Sequence, residues 1–193
     1  MRFRIDWASD AGALAAIEPT VDEVAAHAAA LARGYNDPRN AHLLGHDEHV
    51  PDDEVVEHFA FVRDEGGRAF LLFRDGALAG DADLRGVHDG AAEFAFLIAT
   101  PAEQGKGLGT KFATMIHALA FARLGLQRVY ASIVRDNIAS RRVFEKLGYA
   151  VDASATARAF AEQADDVVMS IDKDTFERAN RAALAQITIG ETG

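Results

Sequence analysis

Apolar and polar positions change period along this chain, and the changes mark its elements. Residues 3–6 alternate as a half-buried strand does. Thr20 and Glu23 stand three apart ahead of a helical pattern that runs to about residue 35. That is the spacing of a capping box, in which each side chain serves the other's backbone N–H. Asn36, Asp37 and Pro38 end the helix, and residues 36–51 read as a loop. Asp52, Asp53 and Glu54 form the acidic first turn of a second helix, to about residue 63. Residues 69–74 and 77–87 read as strands joined by the hairpin pair Asp75-Gly76. After His88-Asp89-Gly90 turns the chain, residues 93–98 make the next strand. A long helical pattern over residues 112–124 follows, then a strand at 129–134, a short helix from Asn137, and a strand at 166–171. Asp174 and Glu177 predict the cap of a last helix whose stripe is Phe176, Ala179, Ala183 and Ile187. Hairpins followed by strand–helix–strand predict a mixed α/β fold.

Chemistry enters at Gln104-Gly105-Lys106-Gly107-Leu108-Gly109, between the strand at 93–98 and the long helix. Glycines let the backbone approach a ligand closely, and the free N–H groups of a helix start attract an anion. Lys106 adds a positive charge beside them. The spacing is not that of a Walker loop, which needs Gly-Lys-Ser/Thr. It is not that of a dinucleotide loop either, because position 110 is Thr. An ordinary strand-to-helix turn is the bland alternative.

A second segment runs Asn137-Ile138-Ala139-Ser140, then Phe144-Glu145-Lys146-Leu147-Gly148-Tyr149. Asn137 is a good N-cap and Gly148 a good left-handed helix end. The two segments, in this order and parted by a strand, resemble the signatures of the GNAT superfamily of acyl-CoA-dependent N-acetyltransferases. In motif style they are nearest to the polyamine and ribosomal-protein N-terminal branch. The resemblance covers residues 91–172 well and the N-terminal half weakly. It implies one acetyltransferase domain over residues 1–173, with a C-terminal helix and tail over 174–193. It implies a mostly antiparallel central sheet, splayed at a βαβ cofactor site. It also implies acetyl-CoA as cofactor and acetyl transfer to a primary amine of a small molecule or protein N-terminus. The backbone of Gln104, Gly105, Lys106, Gly107, Leu108, Gly109 and Thr110 would hold the pyrophosphate. Leu97, Ile98 and Ala99 would pair with the pantetheine arm, with an N–H near Ile98 as oxyanion donor, and Asn137 and Phe144 would complete the cofactor site.

The catalytic groups are less fully written. Glu93 is the candidate base, because a carboxylate among small apolar neighbours has a raised pKa; a solvated strand start is the alternative. Glu103 is the second candidate. Many relatives carry a tyrosine acid where this chain has Phe144, so Ser140, Tyr149 or water is left to supply the proton. The same departure leaves open a second reading, a weakened acyl-CoA-binding or sensing module. His42, His46 and His49 lie in the expected loop, where a polar loop is the plainer reading than a metal cluster, and no metal is expected.

Composition narrows the partners. A formal charge of −10, from 30 acidic and 20 basic side chains, argues against general nucleic-acid binding. There is no cysteine, which excludes a thiol nucleophile and a zinc–thiolate site. No apolar run is long enough to span a membrane, and the first residues lack a signal-peptide core, so the cytoplasm is the expected compartment. An alanine-rich last helix needs something to dock on, its own domain or a second copy in a homodimer.

Overall fold

The computed structural model describes residues 1–45 and 48–192. Nine strands form one sheet in the order β7-β8-β6-β5-β4-β3-β2-β1-β9. The strands are β1 (Arg2–Ser9), β2 (Gly12–Ile17), β3 (Arg68–Arg74), β4 (Ala77–His88) and β5 (Ala91–Ile98), then β6 (Arg128–Ile133), β7 (Ala150–Val151), β8 (Val167–Asp172) and β9 (Ile187–Thr192). Every neighbouring pair is antiparallel except β5 with β6.

Alternation along each strand divides the core in two. In β3, Phe70 and Leu72 face one layer, while Ala69 and Leu71 face the other. The first layer holds α4 (Leu108–Ala122), apolar nearly all round and accordingly buried, with α5 (Ile138–Leu147) and α7 (Lys173–Leu184) beside it. The second holds α1 (Val21–Tyr35) and α3 (Asp52–Asp64), whose Val24, Leu31, Val55, Phe59 and Val62 are buried on the sheet. The expected capping box at Thr20 and Glu23 is formed in both directions.

Three expectations are corrected. Residues 36–51 are not all loop: α2 spans Pro38–Leu44, with Asp37 accepting from the N–H groups of Arg39 and Asn40 and Gly45 left-handed at the end. Asp37-Pro38 thus stops one helix and starts another. The last helix is capped by Asp172, which accepts from Thr175 N–H, not by an Asp174–Glu177 box. That helix ends at Leu184, and Ile187 instead begins β9, which pairs with β1. The strand β2 was also not foreseen. It follows β1 through a tight turn, and its run Gly-Ala-Leu-Ala-Ala-Ile carries no alternation to announce it.

Candidate active site

A cleft of about 590 Å³ opens where β5 and β6 part. Their parallel ladder covers only Ala91–Glu93 against Arg128–Tyr130. Beyond it β5 stays with β4 as far as Ile98, and β6 stays with β8 as far as Ile133. The N–H of Ala99 donates to the Ala79 carbonyl. By the alternation of an antiparallel ladder, Phe96 and Ile98 therefore turn their backbone groups toward the parted side.

The candidate site has two halves, and in one of them the glycine loop stands between β5 and α4. Gly105 and Gly107 have φ of 75° and 78°, the left-handed region, and a Cβ on either would meet nothing within 4 Å. Gly107 is the N-cap of α4 and no side chain caps that end. The first-turn N–H groups of Leu108, Gly109 and Thr110 therefore have no helical acceptor. Open space before uncapped N–H groups fits the pyrophosphate that the resemblance implies. Two side chains of the loop are engaged by neighbouring residues. Gln104 Nε2 donates to the Ile98 carbonyl at 2.8 Å and to Asn40 Oδ1 of α2 at 2.9 Å. Lys106 pairs with Glu103, which also holds Arg74 at 2.6 Å. These two cations keep the Glu103 carboxyl below its ordinary range, which does not suit a base.

The α5 wall carries Asn137, Ser140 and Phe144 into the cleft. Asn137 Oδ1 accepts from Ser140 N–H, and its Nδ2 donates to the Leu43 carbonyl, so α2 is tied to this wall. Phe144 is buried, with its ring edge-on to Phe94, Phe96 and Tyr149. The Tyr149 hydroxyl is buried behind Phe144 and donates to His117 Nε2. Burial lowers His117 to about 4, so it is a neutral acceptor whose Nδ1–H serves the Ala113 carbonyl.

The other half of the site, the β4 wall of the cleft, is one for which the sequence raised no expectation. On β4, Asp81, Asp83 and Arg85 share the face that looks toward α1 and α3. Asp81 lies opposite Leu97 of β5, Asp83 opposite Ala95, and Arg85 opposite Glu93. Asp81 is 4% exposed, and its Oδ2 accepts from the Tyr35 hydroxyl at 2.6 Å. Burial pushes its carboxyl up to about 7; the Tyr35 hydrogen bond opposes this and the Asp83 charge reinforces it. Asp83 is 6% exposed, with His58 Nε2 of α3 at 3.0 Å from its Oδ2, and this hydrogen bond raises His58 above its ordinary value. Among the described residues, neither Asp81 Oδ1 nor Asp83 Oδ1 has a hydrogen-bond partner. Glu93 is buried rather than solvated, raised by that burial, and its carboxylate is engaged by Arg85 at 3.2 and 3.3 Å. Arg85 also pairs with Glu162.

Local devices aim this face. A bulge displaces Ala79 between the Leu72–Gly80 and Phe73–Leu78 pairs, just ahead of Asp81. At Gly80 a Cβ would lie 1.8 Å from the Leu97 carbonyl oxygen, so the close approach of β4 to β5 requires glycine there. The available signal was Gly80-Asp81-Ala82-Asp83-Leu84-Arg85, a strand with charges on one face and apolar residues on the other, inside a central hairpin. Of the three histidines, His42 is exposed on α2, His49 lines the cleft, and His46 lies outside the described residues.

A family profile described as an acetyltransferase (GNAT) domain matches residues 20–150. Spermidine N(1)-acetyltransferase of Escherichia coli K12 is 33% identical over 94 residues, 47% of this chain and 50% of that protein. The chain thus spans about half the length of the curated relatives it matches. Among solved structures, Mycobacterium smegmatis RimJ in complex with CoA-disulfide superposes with a TM-score of 0.68 at 17% identity, over 97% of this chain and 94% of that one. Aminoglycoside acetyltransferase AAC(6')-Ib, in complex with ribostamycin and coenzyme A, gives 0.71 at 20% identity, over 86% and 96%. With the profile matched over more than half its length, the chain belongs to the GNAT acetyltransferase domain family.

Proposed function

We propose that this chain transfers an acetyl group from acetyl-CoA to an amine. The observation that carries the reading is an uncapped glycine loop at the start of α4 together with a cleft between the parted strands that is lined by carboxylates whose buried oxygens lack hydrogen bonds among the described residues. When bound, acetyl-CoA supplies the thioester. The chain's own part is positioning and proton movement. The N–H groups of the loop and of the first turn of α4 hold phosphate. The edge of β5 offers the backbone groups of Phe96 to an extended arm, and the N–H of Ile98, whose own carbonyl is held by Gln104, is the proposed oxyanion donor.

For the proton acceptor we place Asp81 ahead of Glu93. Asp81 Oδ1 is directed at no partner, and a carboxyl near 7 is matched to accepting a proton at neutral pH. Glu93 already holds Arg85. For the proton donor we place Ser140 ahead of Tyr149, because Ser140 lines the cleft while the Tyr149 hydroxyl is committed to His117.

Two measurements test the reading. Free-thiol release from acetyl-CoA should depend on an added amine. Titration of CoA by calorimetry should show at least tenfold weaker binding to Gly107→Asn. Asparagine tolerates the left-handed backbone, and its side chain can cap the N–H groups that would hold phosphate. Wild-type affinity in a variant of unchanged melting temperature would remove the cofactor loop from the proposal.

A further inference from the structure

We infer that the acceptor carries a second cationic nitrogen, seated on Asp83 while the reacting nitrogen is at Asp81. The inference rests on the transferase reading only for which nitrogen reacts; the seat itself is a matter of binding. The two carboxylates are alike in one respect. Each has one oxygen engaged, Asp81 Oδ2 by Tyr35 and Asp83 Oδ2 by His58, and one buried oxygen with no hydrogen bond among the described residues. A buried carboxylate oxygen left unpaired is costly, and a ligand that brings its own N–H donors removes the cost. Arg85 does not remove it for Asp83, since its Nε is 3.8 Å from Oδ1 and its guanidinium bonds Glu93 and Glu162.

Spacing decides between one cation and two. Asp81 and Asp83 are two residues apart on one face of β4, roughly 7 Å along a strand. A single ammonium making two hydrogen bonds of ordinary length at a tetrahedral angle spans only about 5 Å between acceptors. Two nitrogens joined by about four methylene carbons match the strand step. The order along the cleft follows from register. Asp81 faces Leu97, next to the proposed oxyanion donor, and Asp83 faces Ala95, one step further from the glycine loop. Glu54 is a further carboxylate in the lining of the cleft.

The test compares 1,4-diaminobutane with n-pentylamine, which has the same number of heavy atoms and one nitrogen. Binding of each to the full chain is measured by calorimetry at pH 7.5, and acetylation of each is measured separately. The diamine should bind at least tenfold more tightly, and Asp83→Asn should reduce the preference to less than threefold while CoA affinity shows the variant folded. The preference should survive a raised ionic strength, because a buried seat is screened far less than diffuse attraction to a chain of charge −10. Equal affinity for the two amines in the wild-type protein would overturn the inference without need of the variant. So would a preference that Asp83→Asn leaves intact, or one that salt abolishes. Selective binding with no acetylation of either amine would support the seat and sink the transferase reading instead.

Discussion

Asp81 is the residue on which rate and stability turn together. If it accepts the amine proton, kcat/KM should rise through an acid limb near pH 7, the value to which burial brings its carboxyl. Asp81→Asn should cost about 10²–10⁴ in kcat/KM, the usual worth of a positioned base. Glu93→Gln should leave the limb where it is; a limb that moved with Glu93 would return the base to that residue. Tyr35→Phe removes the hydrogen bond that pulls the Asp81 carboxyl down, so the limb should move to higher pH. The same shift sets the sign of a stability effect. Between the ordinary value of 3.8 and about 7, the folded protein keeps a proton at Asp81 that the unfolded chain has lost. The contribution of this group to stability therefore falls as pH rises through that window. Asp81→Asn should melt higher than wild type at pH 8, with the gap closing toward pH 4. A variant that melts lower at pH 8 would mean the carboxylate is satisfied rather than strained.

At the scale of elements, what the sequence discloses depends on how local each half of the site is. The cofactor half is written in consecutive residues: a strand, two left-handed glycines and a helix start lie within residues 91–110, and their spacing is the signal. The acceptor half is assembled from Tyr35 of α1 on Asp81 of β4 and His58 of α3 on Asp83 of β4, pairs that meet only after the sheet has set its register. No spacing links them. The charged face of β4 was legible, but the bulge at Ala79 that aims it arises from pairing with β3 and is not. Gly80→Ala tests that device. Its methyl would collide with the Leu97 carbonyl, so the strands must separate, and we expect a loss of melting temperature together with weaker amine binding. Helix α4 carries a second device, the buried pair His117–Tyr149. Tyr149→Phe strands the His117 acceptor and should cost about 1–3 kcal/mol in urea denaturation. Acetyl transfer should be spared, whereas a large fall in kcat with unchanged stability would restore Tyr149 as the acid.

Across the whole molecule, the segments near the two chain ends are joined in the sheet, a long way from the cleft. The strand β9 pairs with β1 from Trp7–Ile187 to Arg2–Thr192, at the opposite edge of the sheet from β7 and four strands beyond β4. The helix α7 delivers Phe176, fully buried, against His117 and Phe121 of α4. The two parts of the C-terminal segment therefore do different work, and two truncations separate them. Removing residues 185–193 takes away β9 alone. That uncovers the edge of β1, a row of N–H and C=O groups ready to pair with another chain. We expect a lower melting temperature and concentration-dependent association, with CoA affinity within threefold of wild type, because the glycine loop and the parted strands are untouched. Removing residues 174–193 also takes away Phe176, and emptying a buried aromatic site costs about 3–5 kcal/mol before any lost pairing is counted. That is a large share of the roughly 5–15 kcal/mol a domain possesses. This truncation should be largely unfolded at 37 °C by circular dichroism. An equally stable protein after the longer cut would mean that α7 covers the core without supporting it, and that the fold is complete at β8.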